Sequence, residues 1–88
     1  MITPLDGNVL AGPLGELFAV DITSAMGQCA SCGTRNPMAM ARVYADAPGM
    51  VARCRNCDAV ILRLVRSSGQ AWLDMRGISS LQLGMPSQ

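Results

Sequence analysis

Four cysteines constrain what this chain can fold into more than any other feature. They form two Cys-x-x-Cys pairs, Cys29/Cys32 and Cys54/Cys57, with 21 residues between the pairs. Zn²⁺ favours four thiolates arranged as a tetrahedron, at Zn–S distances of about 2.3 Å. A tight turn lets both cysteines of a pair reach one ion while backbone N–H groups point at the sulfurs. We therefore predict one structural zinc ion per chain, bound by all four cysteines.

The residue after each pair supports this prediction. Gly33 and Asp58 stand where such a turn ends with positive φ, which glycine adopts freely and aspartate tolerates better than most residues. The chain has no histidine, so sites that combine cysteine with histidine are excluded. A thioredoxin-like redox pair would need a βαβ setting that the sequence lacks. Iron is the rival metal, since tetrahedral thiolate sites hold zinc or iron, and a rubredoxin-like electron carrier stays an alternative.

Catalysis is not expected from this residue set. Four protein thiolates would leave the metal no open position for water or substrate. The six acidic residues are scattered, and no phosphate-binding glycine loop is present. We predict a non-enzymatic protein without catalytic residues and without a small-molecule substrate.

The composition explains why a metal is needed. The 88 residues suffice for one domain, and half are apolar, but only Phe18, Tyr44 and Trp72 are aromatic. Such a thin core usually requires a cross-link or a metal. Trp72 is predicted to complete this core, because a small domain rarely leaves its only tryptophan exposed.

A helix is predicted within residues 5–19, where Leu10, Leu14, Leu17 and Phe18 fall on one helical face. Asn8 is a plausible N-cap. Pro13 leaves two alternatives open. Either the helix kinks there, or Gly12 caps a shorter helix that has Pro13 at its first position.

Strands are predicted over residues 38–44, 50–54, 60–66 and 71–75, with Pro48 and Gly49 at the centre of a type II turn. The expected fold class is a small metal-stabilised α+β or mainly β protein. Its architecture would be a zinc ribbon, an antiparallel sheet of three to five strands, with an N-terminal helix. We assign residues 1–24 to the helical segment, 25–84 to the ribbon and 85–88 to a flexible tail.

The arginines suggest a nucleic-acid-binding alternative through Arg42, Arg53, Arg55 and Arg63. Residues 35–88 carry seven arginines against three aspartates, a net charge of +4. The complete chain carries +1, and four thiolates with Zn²⁺ would lower this to −1, so phosphate attraction does not dominate. Solvated strand faces are the simpler interpretation. The first expectation is a protein partner, with the apolar N-terminal segment docking on the ribbon or on that partner.

The expected location is the cytoplasm, without membrane contact. The sequence shows no basic segment followed by an apolar one near Met1, and no apolar stretch long enough to cross a bilayer. Thiols stay reduced in the cytoplasm, where paired Cys-x-x-Cys units hold metal more often than disulfides.

The residues also resemble a known group. Residues 5–14, 18–21, 63–66 and 72–77, together with both cysteine pairs, are similar to an uncharacterised bacterial family of short zinc-ribbon proteins. The resemblance spans nearly the whole chain and implies the ribbon fold and the same four zinc ligands. It implies no activity, because that family is a domain of unknown function.

Overall fold

A computed structural model describes residues 5–15, 22–46 and 49–84, which form two antiparallel sheets and one short helix. The predicted tail at 85–88 lies outside the described residues. No described helix has the length and apolar character needed to cross a membrane. The strands are β1 (Leu5–Asp6), β2 (Met26–Cys29), β3 (Arg35–Pro37), β4 (Arg42–Asp46), β5 (Gly49–Arg53), β6 (Val60–Ser67), β7 (Gln70–Asp74) and β8 (Ile78–Gln82). The helix is α1 (Ala11–Gly15), and 3-10 turns occupy Gly7–Leu10, Ile22–Ser24 and Met38–Met40.

The larger sheet has five strands in the order β1-β4-β5-β6-β7, each antiparallel to its neighbours. Side chains alternate between the two faces of such a sheet. The inner face carries Val43, Ala52, Leu62 and Leu64, whose exposed fractions are at most 1%. Core packing therefore concentrates on this side of the sheet.

The smaller sheet has three strands in the order β3-β2-β8. Among the described residues of these three strands, only Cys29 is buried. Beside the β2–β8 pairing, the amide of Ala30 donates to the carbonyl of Gly77, 2.9 Å away, and Gly77 is where the chain approaches β6 of the larger sheet. A Cβ on Gly77 would lie 2.1 Å from the carbonyl oxygen of Val60, so only glycine permits this approach.

The described N-terminal residues pack against the larger sheet. Leu10 and Leu14 are fully buried, and they join the same core cluster as the inner face of the larger sheet. The predicted cap at Asn8 is wrong: Asp6 is the cap, and its carboxylate accepts from the Asn8 amide at 3.0 Å.

Within the described residues α1 begins only at Ala11, because Leu5–Asp6 is a strand and Gly7–Leu10 is a 3-10 turn. The alternative in which Gly12 caps a helix that starts at Pro13 is wrong, since Pro13 is the third residue of α1. There its missing N–H falls within the first turn, where little hydrogen bonding is lost. The rest of the predicted helix, at 16–19, lies outside the described residues.

Three predicted strands are confirmed as β5, β6 and β7, with ends that differ by one residue at most. The strand predicted over 38–44 begins only at Arg42, because Met38–Met40 forms a 3-10 turn. Gly49 pairs with Asp46 as the first residue of β5, so it follows the turn and is not the turn's second central residue. Pro48 lies outside the described residues.

Trp72 is not a core residue. Its side chain is 56% exposed, and it pairs with Val65 on the outer face of the five-stranded sheet. The neighbouring Leu73 takes the inner face and pairs with buried Leu64. Because both residues are apolar, the alternation of β7 alone could not show which one faces inward.

Candidate metal centre

Both cysteine pairs lie in turns that join neighbouring strands. Cys29 ends β2 and Cys32 lies in the turn before β3, whereas Cys54 and Cys57 lie between β5 and β6. The register shifts between Gln28 and Cys29 in one sheet, and between Ala52 and Arg53 in the other. A bulge bends the strand that carries the extra residue. The extra residues, Ser79 in β8 and Ile61 in β6, lie opposite the ends of the two strands that lead into the cysteine turns.

The two turns, residues 29–34 and 54–59, are called here the first and second knuckle, and they share one hydrogen-bond pattern. The amides of Gly33 and Asp58 donate to the carbonyls of Cys29 and Cys54, each at 2.9 Å. The amides of Cys29 and Cys54 donate in turn to residues 34 and 59, at 3.0 and 2.8 Å. Gly33 and Asp58 have φ of 76° and 66°, which confirms the predicted backbone at both positions.

The four sulfurs meet at one point between the knuckles. Cys29 Sγ lies 3.7 Å from Cys57 Sγ, and Cys32 Sγ lies 3.7 Å from Cys54 Sγ. All four sulfurs lie within 4.8 Å of one another. A regular tetrahedron with Zn–S bonds of about 2.3 Å has S···S edges of about 3.8 Å. The cluster therefore fits a tetrahedral metal ion, and its sulfurs are too far apart for disulfides.

Each knuckle contributes one buried and one exposed cysteine. Cys29 and Cys54 are 5% and 4% exposed and belong to the core cluster, whereas Cys32 and Cys57 face solvent. The site thus links the hydrophobic core to the surface, and a metal there would cross-link the two sheets.

The thiols differ in acidity. Hydrogen bonds from the Thr34 side chain and then from Asn56 lower the pKa of Cys32 to about 5. The backbone at Ala59 lowers the pKa of Cys57, but desolvation and hydrogen bonds with the other thiols outweigh this and raise it to about 12. Four thiols this close cannot all ionise without a cation, because like charges oppose each other. A bound divalent metal would supply the positive charge that lets all four become thiolates.

Asn56 is a site residue that the sequence analysis missed. Its backbone amide donates to Cys54 Sγ at 3.3 Å, and its side-chain amide donates to Cys32 Sγ at 3.5 Å. The same side chain donates to Thr34 Oγ1 at 3.1 Å, so it bridges the two knuckles. An amide side chain between two ligand cysteines was the available signal, because such a group can donate to thiolate sulfur.

The four arginines singled out from the sequence do not all come together. Arg42 and Arg53 are paired between β4 and β5, and Arg63 lies on the same outer face of the sheet. Arg55 lies apart, exposed in the second knuckle. Arg53 donates to the Asp58 carbonyl at 2.9 Å, and Arg42 lies 3.8 Å from the Asp58 carboxylate.

Comparison with known proteins identifies the family. A family model described as a family of unknown function (DUF6510) matches residues 1–86, and the chain belongs to this family. No curated protein and no solved structure matches the chain. The expected membership of an uncharacterised family is confirmed, and it brings no activity with it.

Proposed function

We propose that this member of the DUF6510 family is a non-enzymatic, cytoplasmic bacterial zinc ribbon in which one structural Zn²⁺ holds the two sheets of a binding module. The observation that carries the proposal is the sulfur geometry, two cross-knuckle distances of 3.7 Å in a cluster with four thiol donors. Zinc is proposed over iron because the second knuckle, Cys-Arg-Asn-Cys-Asp, lacks the Pro and Gly usual in rubredoxin-like knuckles.

A structural role follows from the number of ligands. Four thiolates complete a tetrahedral shell, so no coordination position is left to activate water. The carboxylates of Asp6, Asp58 and Asp74 belong to separate elements, the N-terminal turn, the second knuckle and the end of β7. This separation supports a binding role over acid–base chemistry, which needs groups positioned around one substrate.

Two partner classes follow from the surface. The protein partner expected from the sequence would have to use residues other than Leu10 and Leu14, because both are buried in the chain's own core. Exposed Trp72 is a suitable anchor, since tryptophan is frequent at the centres of interfaces. Nucleic acid is the second candidate, and one observation favours it: Arg42, Arg53 and Arg63 share a sheet face with Tyr44.

The metal content of the purified protein tests this proposal. Elemental analysis is expected to find one zinc per chain, and X-ray absorption to find four sulfur neighbours at about 2.3 Å. Cys57→Ser is expected to lose most of the zinc because it removes one of four ligands. Ser31→Ala is the matched control within the first knuckle, and it should keep full zinc occupancy.

Other results would contradict the proposal in distinct ways. A red protein that contains iron after growth with both metals would favour the electron-carrier alternative. Full zinc occupancy in Cys57→Ser would place the metal elsewhere. A water molecule bound directly to the zinc in the folded protein would point to a catalytic site.

A further inference from the structure

The outer face of the five-stranded sheet presents a cluster of aromatic and basic side chains. Pairing across β4, β5 and β6 aligns Tyr44, Val51 and Arg63 in one row, and Val65 pairs with Trp72 in the next. Trp72 and Arg63 are exposed, while Tyr44 is half-buried. We call this surface, with Arg42, Tyr44, Arg53, Arg63 and Trp72, the outer face.

An open groove runs along the middle of the outer face. It is lined by Tyr44, Val51, Arg53, Arg63 and Val65, among others. Its lining combines the apolar side chains of Val51 and Val65 with the guanidinium groups of Arg53 and Arg63, and it includes the acidic residue Asp58. The Arg53 guanidinium lies 6.0 Å from the centre of the Tyr44 ring, within range of a cation–π interaction.

Basic groups slightly outnumber the described carboxylates on this surface. Arg42, Arg53, Arg63 and Arg76 lie on or beside it, against three carboxylates among the described side chains: Asp6 (paired with Arg42 between β1 and β4), Asp58 and Asp74. Asp74 is already bound by Arg76, whose Nε and Nη2 donate to both carboxylate oxygens at 2.7–3.1 Å. Asp58 interacts with Arg42 at 3.8 Å. Among the described side chains, arginine therefore exceeds carboxylate by one on this side of the sheet.

We infer that the outer face binds single-stranded nucleic acid, with bases stacked on Tyr44 and Trp72 and phosphates bound by Arg42, Arg53 and Arg63. Exposed rings beside cations on a sheet suit unpaired bases, whose faces are open to stacking. Tyr44 and Trp72 are three strands apart, about 14 Å at the usual strand spacing, so each would stack on a different base. The inference rests on the proposed function only for its zinc-held scaffold.

Fluorescence anisotropy with labelled oligonucleotides of about 12 nucleotides, a length suited to one small domain, tests the inference. The zinc-loaded protein is expected to bind single-stranded DNA or RNA at low salt more tightly than a duplex of the same sequence. Trp72→Ala should weaken binding at least about fivefold, the lower limit for one lost stacking contact. Trp72→Phe keeps a stacking ring and should bind more tightly than Trp72→Ala.

The salt dependence of oligonucleotide binding tests which face of β6 contacts the phosphates. Arg63→Gln should reduce the slope of log K against log salt by about 0.7, the value for one phosphate on a single strand. Arg66→Gln is the matched control, because Arg66 is exposed on the same strand but belongs to the opposite face. Zinc content and circular dichroism verify that each variant is folded.

Zinc content distinguishes a protein that does not bind nucleic acid from one whose zinc-binding fold is absent. Protein with one zinc per chain that binds no oligonucleotide would overturn the inference and leave the zinc ribbon intact. Equal effects of Arg63→Gln and Arg66→Gln would likewise overturn it, because binding would not depend on the outer face. Trp72-dependent binding of a purified protein, with no oligonucleotide binding, would replace nucleic acid by a protein partner.

Discussion

The five-stranded sheet buries Val43, Leu62 and Leu64 almost completely, whereas the three-stranded sheet buries Cys29 alone among its strand residues. Apolar burial is the main source of folding free energy, so the larger sheet has its own source of stability. Apart from Cys29, the described residues of the smaller sheet pack only the half-buried Ile78 and Leu81 against that core, and this sheet meets the larger one at the four-cysteine cluster and where Gly77 approaches Val60. The comparison indicates that a metal bound by the cysteines would stabilise the smaller sheet more than the larger one.

Removal of the metal should have the largest effect and should separate the two sheets. Structural zinc contributes on the order of 10–16 kcal/mol of apparent binding free energy in zinc-finger peptides. EDTA is therefore expected to abolish amide protection in Met26–Pro37 and Ile78–Gln82, while Val43, Ala52 and Leu62 keep residual protection. Hydrogen exchange read by mass spectrometry measures this. Equal loss of amide protection in both sheets would mean that the two sheets unfold together as one cooperative unit.

A leucine-to-alanine substitution in each sheet tests the packing side of the comparison. Leu62→Ala should lower the free energy of unfolding by about 2–5 kcal/mol, because it leaves a cavity in a fully buried site. Leu81→Ala, at a half-buried site in β8, should cost less. Urea denaturation of the zinc-loaded proteins compares them. Equal losses would contradict a core centred on the larger sheet.

The contact that joins the sheets can be tested at Gly77. Gly77→Ala should cost about 1–3 kcal/mol, because the added Cβ overlaps the Val60 backbone and must displace it. Exchange at the Ala30 amide should become faster, since this amide donates to the Gly77 carbonyl. Gly84→Ala is the control, because a Cβ there meets no atom within 4 Å. Similar losses of stability in Gly77→Ala and Gly84→Ala would show that the close approach at Gly77 has no special role in stability.

The first knuckle can be tested through its backbone. Gly33→Ala should destabilise the protein by about 1 kcal/mol, the usual cost of left-handed backbone for an L-residue. Gly12→Ala adds the same methyl group to helical backbone with open space around it, so it should be neutral or stabilising. Thermal unfolding with zinc present measures both. A stabilising Gly33→Ala would contradict the positive φ at this knuckle.

The smallest expected effect concerns pH and the end of β7. Hydrogen bonds from Arg76 lower the pKa of the Asp74 carboxyl to about 2, from a reference of about 3.9 in unfolded chains. A lowered folded-state pKa stabilises the folded form above pH 4, and this contribution is lost as the pH falls from about 4 to 2. NMR titration of the Asp74 carboxyl carbon measures the pKa without interference from thiol protonation. Arg76→Gln should return it toward 3.9.

The clustering of the four cysteines was predictable because few chemistries satisfy two Cys-x-x-Cys pairs in a chain without histidine. The spacing indicated the cluster, and the residue types at 33 and 58 indicated the positive φ found there. What the spacing could not show was the contribution of Asn56, whose role depends on the second knuckle lying opposite Thr34. That juxtaposition arises only from the fold.

β8 shows why other elements were missed. Its apolar residues, Ile78 and Leu81, are three apart, which does not match the two-residue period of a regular strand. Pairing with β2 skips Ser79, since Cys29 pairs with Ile78 and Gln28 with Ser80. This extra residue puts Ile78 and Leu81 on one face. The same bulge lies opposite Cys29, the first cysteine of the cluster.

The arrangement of one exposed cysteine in each knuckle has a kinetic consequence. If a metal is bound here, an incoming chelator or metallochaperone would attack it from the solvent side, where Cys32 and Cys57 lie, and displace these sulfurs stepwise. Cys29 and Cys54 would hold the ion from the core during this exchange. Metal turnover would then follow an associative route whose rate rises with the competitor's concentration, even while equilibrium affinity stays high. A tightly held ion can in this way still be replaced without global unfolding.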